Sequence, residues 1–453
     1  MLIHELAQYG ARESGERNLT DPVLHHTKRA VLDWLAALYP GTRMSPGVEL
    51  VQAHADETGV GQARLPGFAT TTFPATAAWI NGSVSHAVEF DDIFRDGVYH
   101  PGCPVIAAAL AAADTRDADG LAFLTAIVVG YEISTRLAAA IQPAHYHFFH
   151  TTGTVGSIGA AAAVAALYAP GNPTVMQHAI ATAATFAAGL QQAFRSDAMT
   201  KALHAGHAAA VGIRAGTAAE AGVTGVADIL EGEAGFAAAL GGSLNLPLVT
   251  AGLGEDYNMT RITQKNHGCC GHTFASIDAA LALQQEHGIR PDDIAAIHVA
   301  TYQTAINVTG NANPQTAFEG KFSLRYVVAH ALRHGSVRLN AFDAERLTDD
   351  ATRALMKKIT LVADEALTAA FPRHRSSRVT IVMNSGETYE YYAQDRKGDP
   401  ESPLSDAELN DKFDELAGPV LGRARAQTLR DAVWRLDAMP VRALRLAADM
   451  PRS

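Results

Sequence analysis

Cysteine is scarce in this chain: three residues in 453, Cys103, Cys269 and Cys270. They cannot build a disulfide framework, which excludes the small stapled secreted folds. Long hydrophobic runs are also missing, because no stretch reaches the roughly 18 uncharged apolar residues of a membrane-spanning helix. The longest candidate, Val155 to Ala169, is rich in Ala and Gly and stops at Pro170. No run of basic residues marks a stripe that would neutralise phosphates, and acidic residues outnumber basic ones 47 to 36, for a net charge of −11. Nucleic acid is thereby disfavoured as a partner. The start, Met1-Leu2-Ile3-His4-Glu5, lacks the basic segment and apolar core of a signal peptide, so the expectation is a reduced, cytoplasmic protein with no membrane partner. A Walker phosphate loop, a Gly-x-Ser-x-Gly elbow and a Gly-x-Gly-x-x-Gly after a strand are all absent, which weakens nucleotide-dependent and serine-hydrolase readings.

What is present is a chain with 48% hydrophobic and 18% charged residues, too apolar for disorder. Its length is three times the roughly 150 residues of a single-domain prior, so two domains or one elaborated domain is expected. Alanine dominates the first half at helical spacing, which predicts closely packed helices with few large anchors, since aromatics are only 7%. The first clear helix opens at Asp21-Pro22, read as an N-cap and a proline at the first helical position, and closes near Pro40-Gly41. Others are expected near 75–88, 104–115, 119–140, 153–168, 173–193 and 203–221. After about residue 255 the texture changes. Strands are expected at 297–302 and 359–362, and a hairpin at 378–383 and 387–392 around Asn384-Ser385-Gly386. Helices at 272–287, 322–334 and 343–356 sit among them. Ser405 and Glu408 make a capping box ahead of a further helix. The fold class is therefore mainly α: a large all-helical domain (1–255 and 401–453) with an inserted smaller α+β domain (256–400).

Four segments place polar, proton-transferring residues just before a predicted helix. The first holds His86, Glu89, Asp91, Asp92 and His100; the second runs His145-Tyr146-His147-Phe148-Phe149-His150 into Thr151-Thr152-Gly153-Thr154. The third is Thr200-Lys201-Ala202-Leu203-His204, and the fourth Lys265-Asn266-His267-Gly268-Cys269-Cys270-Gly271-His272. Helix N-termini present unpaired N–H groups, so lysines and histidines there suit a substrate with two or three carboxylates. The plain alternative for the first is a solvated turn capping the next helix, and for a single His a surface cap. Lys201, among Met199, Ala202 and Leu203, is costly to bury without a purpose. In the fourth segment a zinc site fails on spacing, since adjacent cysteines rarely wrap one tetrahedral ion; no metal is expected.

Taken in order, Asn81-Gly82 with His86, Glu89-Phe90-Asp91-Asp92 and His100-Pro101-Gly102, His150-Thr151-Thr152-Gly153-Thr154, Thr200-Lys201-Ala202-Leu203-His204-Ala205-Gly206, Lys265 with Cys269-Cys270, and Lys321-Phe322-Ser323-Leu324-Arg325-Tyr326 resemble the MmgE/PrpD family. The resemblance runs from about residue 20 to 420. It implies a cofactor-free homodimer with a large helical domain, a smaller α+β lid and a site between them. Carried over residue by residue, it implies His100, Lys201, His150, Glu89 and Asp91 as catalytic residues. Lys265, Cys269, Cys270, Tyr326, Asp92 and Thr200 become the substrate-binding ones. The family's common chemistry is proton movement at a carbon next to a carboxylate, which needs a positioned base and fixed positive charge for the developing aci-carboxylate. His100 is expected to transfer the proton, with Lys201 and Lys265 binding carboxylates and His150 a second acid or carboxylate ligand. The competing assignment makes Lys201 the base.

Several positions depart from the family pattern. Glu89 stands where Asp is common, Ile93-Phe94 where the decarboxylase has Thr-Trp, Gly268 where Pro is usual nearby, and Cys270 where the decarboxylase has His. These changes argue against cis-aconitate decarboxylase. They point first to a 2-methylcitrate dehydratase-like lyase on a small polycarboxylate, with an iminodisuccinate-type epimerase acting through the same carbanion as the alternative. A catalytically silent helical scaffold is the reading from a different class.

Overall fold

The alanine-rich segments do become helices, and small residues set how closely they approach. In a computed structural model, which describes residues 1–194 and 198–447, helix takes 61% of the residues and strand 9%. Two units separate by their internal contacts: Met1–Gln264 together with the segment from Ser405 onward, and Lys265–Leu404. The inserted segment thus begins and ends later than positions 256 and 400, where the change in sequence texture placed its limits.

In the large unit, the Thr200–Glu220 helix packs between Pro74–Ala87 and Thr151–Tyr168. At their crossing a Cβ on Gly206 would lie 2.1 Å from Ser83 Oγ and 2.2 Å from the Trp79 carbonyl oxygen, so only glycine allows the approach. Gly120–Ala140 and Thr151–Tyr168 are long and apolar enough to cross a membrane, which differs from the sequence count because their small and polar residues still average as apolar. Here 89% and 94% of those apolar windows are buried inside the protein, as core helices. Gly120–Ala140 is capped by Asp119, which accepts from the Ala122 N–H.

Several boundaries moved for identifiable reasons. An additional helix, Leu2–Glu16, and a short hairpin of β1 (Ala63–Leu65) and β2 (Thr70–Thr72) had no reading in the sequence. Thr20, not Asp21, is the N-cap of Asp21–Gly41. The helix expected over 173–193 stops at Thr185, and Gly189 follows at a φ of 138° that a helix cannot hold. The one expected over 343–356 is split into Ala344–Leu347 and Asp350–Met356, because Asp349 turns to cap the second piece by accepting from Thr352 N–H.

The small unit carries a four-stranded sheet: β3 (Ile294–Thr301), β4 (Ile359–Ala363), β5 (Ser377–Met383) and β6 (Thr388–Ala393), in the order β4-β3-β5-β6. β3 and β4 are parallel, and the other pairs antiparallel. Gly386, at a φ of 92°, closes the β5–β6 hairpin. Helices Phe274–His287 and Leu324–His334 bury Phe274, Ile277, Val327 and Val328 in one core with Ile297, Val299, Val379 and Ile381 of the sheet. The capping box at Ser405 and Glu408 forms as expected and opens Asp406–Leu421, which packs in the large unit against Asp21–Gly41.

Candidate active site

The turn after Pro74–Ala87 builds the acidic part of the site. Glu89 adopts a φ of 60°, a left-handed conformation that side chains seldom take, and turns the chain sharply. Phe90 is driven into the core, where its carbonyl accepts from Lys412 Nζ at 3.1 Å and its ring lies 4.5 Å beneath the same ammonium. Lys412 pairs in turn with Asp33 at 2.6 Å, both fully buried. Asp92 does cap the next helix, by accepting from Gly102 N–H at 3.0 Å, but it is buried rather than solvated and also accepts from the Tyr131 hydroxyl at 2.8 Å.

Three imidazoles converge on this turn. Asp91 Oδ2 sits 2.7 Å from His86 Nδ1 and 3.0 Å from His100 Nδ1, while His100 Nδ1 is also 2.8 Å from the Asp92 carbonyl oxygen. The His100 backbone N–H donates to Thr152 Oγ1 at 3.2 Å, which ties the first motif to the second. His150, the residue before Thr151–Tyr168, stacks on His86 with centroids 5.4 Å apart and lies 6.5 Å from His100. Its Nδ1 is 3.0 Å from His204 Nδ1. Lys201 and Glu89 form an ion pair. Thr200 is exposed and lines, with His204 and His207, an open cleft of about 490 Å³. The other histidines of the second segment do not join: His145 bonds to Thr154 and the Leu240 carbonyl, and His147 is exposed.

The electrostatics follow from burial and from who faces whom. Burial, with Asp33 and Asp91 adding to it, pushes Asp92 up to about 8 against its two hydrogen bonds. Burial and the neighbouring His86, Lys201 and His100 hold His150 well below the ordinary imidazole range, and similar causes bring His204 down to about 4. For Lys201, burial pulls downward but the Glu89 carboxylate outweighs it, with Asp91 and Tyr146 adding, and the ammonium ends above its ordinary range. A retained proton fits a charge-bearing lysine better than a lysine base.

His86, Asp91 and Cys103 bring ligand atoms within 4.8 Å of one another. Their present arrangement is a hydrogen-bond triad. Burial and the two carboxylates raise the Cys103 thiol well above its ordinary range, and it donates to Asp91 Oδ2 at 3.1 Å.

In the small unit the expected residues separate. Tyr326, expected as a substrate ligand, is fully buried, and its hydroxyl donates to the Ala341 carbonyl; Ser323 caps this helix through the Tyr326 N–H and starts it with that side chain inward. Cys269 is likewise a core residue: its thiol is 3.2 Å from Thr273 Oγ1 and burial pushes it up to about 12, with Lys265 and Lys321 pulling the other way. Cys270 is half-buried, and its N–H donates to the Lys321 carbonyl at 3.0 Å. Lys265 is buried. The zinc-like residues are engaged one by one, His267 with Asp278 at 2.8 Å and His272 with Tyr302 at 2.7 Å.

Sequence reasoning did not assign roles to His86, His204, Tyr131, Asp33 or Lys412. His204 stood three residues after Lys201, the spacing that puts two side chains on one helical face. The Asp33–Lys412 pair joins positions 379 apart and had no signal.

Two family models cover most of the chain: the MmgE/PrpD N-terminal domain at residues 4–248 and the MmgE/PrpD C-terminal domain at 267–438. A cis-aconitate decarboxylase-like protein, oryM, of Aspergillus oryzae is 29% identical, covering 92% of this chain and 90% of that protein. Cis-aconitate decarboxylase of Aspergillus terreus is 25% identical over 93% and 90%, and that of Homo sapiens 27% over 93% and 89%. These relatives carry the decarboxylase name, whereas the sequence departures had put dehydratase and epimerase chemistry first.

Proposed function

Because this chain belongs to the MmgE/PrpD family of enzymes, we propose that it is a lyase acting without a cofactor on a small di- or tricarboxylate, with decarboxylation of a cis-aconitate-like substrate as its first candidate reaction. The observation that carries the reading is the convergence of His86 and His100 on Asp91, with His150 stacked on His86, beside the Lys201–Glu89 pair. Loss of carbon dioxide leaves an electron pair on carbon, which a neighbouring carboxylate delocalises and a proton then quenches. Lys201, retaining its proton, supplies the charge for the carboxylate. His100, oriented by Asp91, and His150, as the second acid, are the two groups that move the proton. Lys265 keeps the carboxylate-binding role that the family resemblance gives it.

Dehydration of a 2-methylcitrate-like substrate is the second reading, favoured by Glu89: its longer carboxylate already occupies the Lys201 ammonium. Both reactions share a carbanion, as does the epimerase. Incubation with cis-aconitate, 2-methylcitrate, citrate and iminodisuccinate, followed by ultraviolet absorbance and proton NMR in deuterated water, separates them by carbon dioxide release, unsaturation or exchange alone. Absence of both turnover and deuterium exchange on all four would sink the proposal. The homodimer implied by the family is checked by sedimentation.

A further inference from the structure

We propose that His204 is the proton-carrying partner of His150, passing a proton between the cleft and the buried imidazole and thereby setting whether His150 acts as acid or base. The proposal rests on the reading of His150 as a site residue. A neutral imidazole has one N–H and one lone pair, so two Nδ1 atoms 3.0 Å apart must take opposite roles. When His204 donates from Nδ1, His150 carries its proton on Nε2 and is an acid. When His150 donates, its Nε2 holds a lone pair and it is a base.

The surroundings look built for this pair. His150 is 1% exposed, whereas His204 is half-buried and lines the cleft with Gly189, Thr200 and His207. Gly153 and Gly189 form the notch that admits the His204 ring: a Cβ on Gly153 would lie 2.3 Å from the Ala188 carbonyl oxygen and 3.2 Å from His204 Cβ, and one on Gly189 would lie 3.3 Å from His204 Nδ1. The Gly189 carbonyl also accepts the His150 backbone N–H at 2.9 Å, so one residue locates both rings. The strongest electrostatic neighbours of the pair are His86, Lys201 and His100 around His150, and His86, His207 and Lys201 around His204, with Asp91 behind His86 and His100 and Glu89 on Lys201. The direct neighbours are basic, which disfavours an imidazolium in either ring and favours proton entry coupled to proton exit.

For delivery, a proton from cleft water binds His204 Nε2, the His204 Nδ1 proton moves to His150 Nδ1, and the His150 Nε2 proton goes to the substrate carbanion. One proton enters and one leaves, both rings end neutral with exchanged tautomers, and removal runs in reverse. A decarboxylation consumes one proton at carbon per turnover, and the starting tautomers return when water in the emptied site protonates His150 Nε2, the His150 Nδ1 proton moves back to His204 Nδ1, and His204 Nε2 releases its proton to the cleft.

The test uses the whole protein labelled with 15N-histidine, whose two-bond proton–nitrogen correlations report tautomers directly. Expected are two neutral rings in opposite or exchanging tautomers at pH 7, assigned by loss of one set in His204→Asn. Asparagine keeps a hydrogen-bonding group near the Nδ1 position but has no second nitrogen to carry the proton onward. On whichever polycarboxylate is turned over, His204→Asn should lower kcat by about 10²-fold, within the span of proton-transfer catalysis, with KM within two-fold. Added imidazole should restore part of the rate in His204→Ala. A charged His204 at pH 7, or rings fixed in one shared tautomer, or His204→Asn with wild-type kcat and pH profile, would overturn the proposal. Because the tautomer measurement needs no substrate, an inert protein with the paired tautomers intact counts against the lyase reading alone.

Discussion

Between His86 and His100 the polar side chains face one another, whereas His267, Cys269 and His272 turn to separate partners in their own unit. Both stretches read alike in sequence, as histidines, acids or thiols crowded before a helix. In the first, Asp91 receives His86, His100 and Cys103 on a single carboxylate oxygen. In the second, His267 goes to Asp278, Cys269 to Thr273 and His272 to Tyr302. The difference lies in the chain geometry. A left-handed Glu89 folds the first segment back on itself, while the second runs through a short 3₁₀ turn, Gly271–Thr273, straight into its helix. Density of chemical residues in a sequence therefore does not say whether they meet; the turn does.

The sharpest way to break this comparison is to remove one histidine from each stretch. His100→Ala should lower kcat by about 10²–10⁴-fold with KM little changed. His267→Ala should instead leave kcat within two-fold and cost about 1–3 kcal/mol of stability, because Asp278 loses its buried partner. Steady-state kinetics and urea unfolding on both variants check this; equal losses of kcat would erase the distinction.

The Asp33–Lys412 pair supports the convergent turn from below. Lys412→Ala leaves Asp33 buried without its counter-charge and should cost about 3–5 kcal/mol, whereas replacing both by apolar residues, as in Asp33→Leu with Lys412→Met, should recover most of it. Urea midpoints on the three proteins decide. A smaller effect is expected at the mouth of the turn, where Lys201→Ala should raise KM and lower kcat together. Its cycle with Glu89→Gln should show a coupling of about 0.5–3 kcal/mol, and strict additivity would deny the ion pair a role.

The smallest effect concerns pH. His204 sits at about 4 when folded against 6.5 ordinarily. Between those values the unfolded chain binds a proton that the folded one does not, so stability rises with pH across that window and falls as pH drops through it. His204→Asn should flatten this part of the thermal-midpoint profile, read by calorimetry from pH 4 to 7.

Helical body, inserted α+β segment and returning tail were legible because alanine periodicity, the strand alternation and the Ser405 capping box are local signals. Of the candidate site residues, ordered motifs picked out His100, His150, Lys201, Glu89 and Asp91, and all five lie in the large unit. What stayed illegible was set at long range. No local rule tells that Asp92 caps a helix from inside the core, that Phe90 is held by Lys412, or that the Tyr326 hydroxyl is spent on Ala341. The decarboxylase-named relatives likewise lay beyond what the five departing residues suggested.

The insertion also orders events at the ribosome. Arg29 donates to Gln264 at 2.8 Å and pairs with Asp406, so one guanidinium holds the large unit's chain on both sides of the inserted segment. The small unit is continuous and can complete itself as soon as residue 404 emerges. The large unit cannot: until the tail is synthesised, Asp33 has no Lys412 and Arg29 has no Asp406. A truncation before residue 405 should therefore leave the smaller, later-made unit as the part able to finish first, reversing the usual N-terminal-first order of nascent chains.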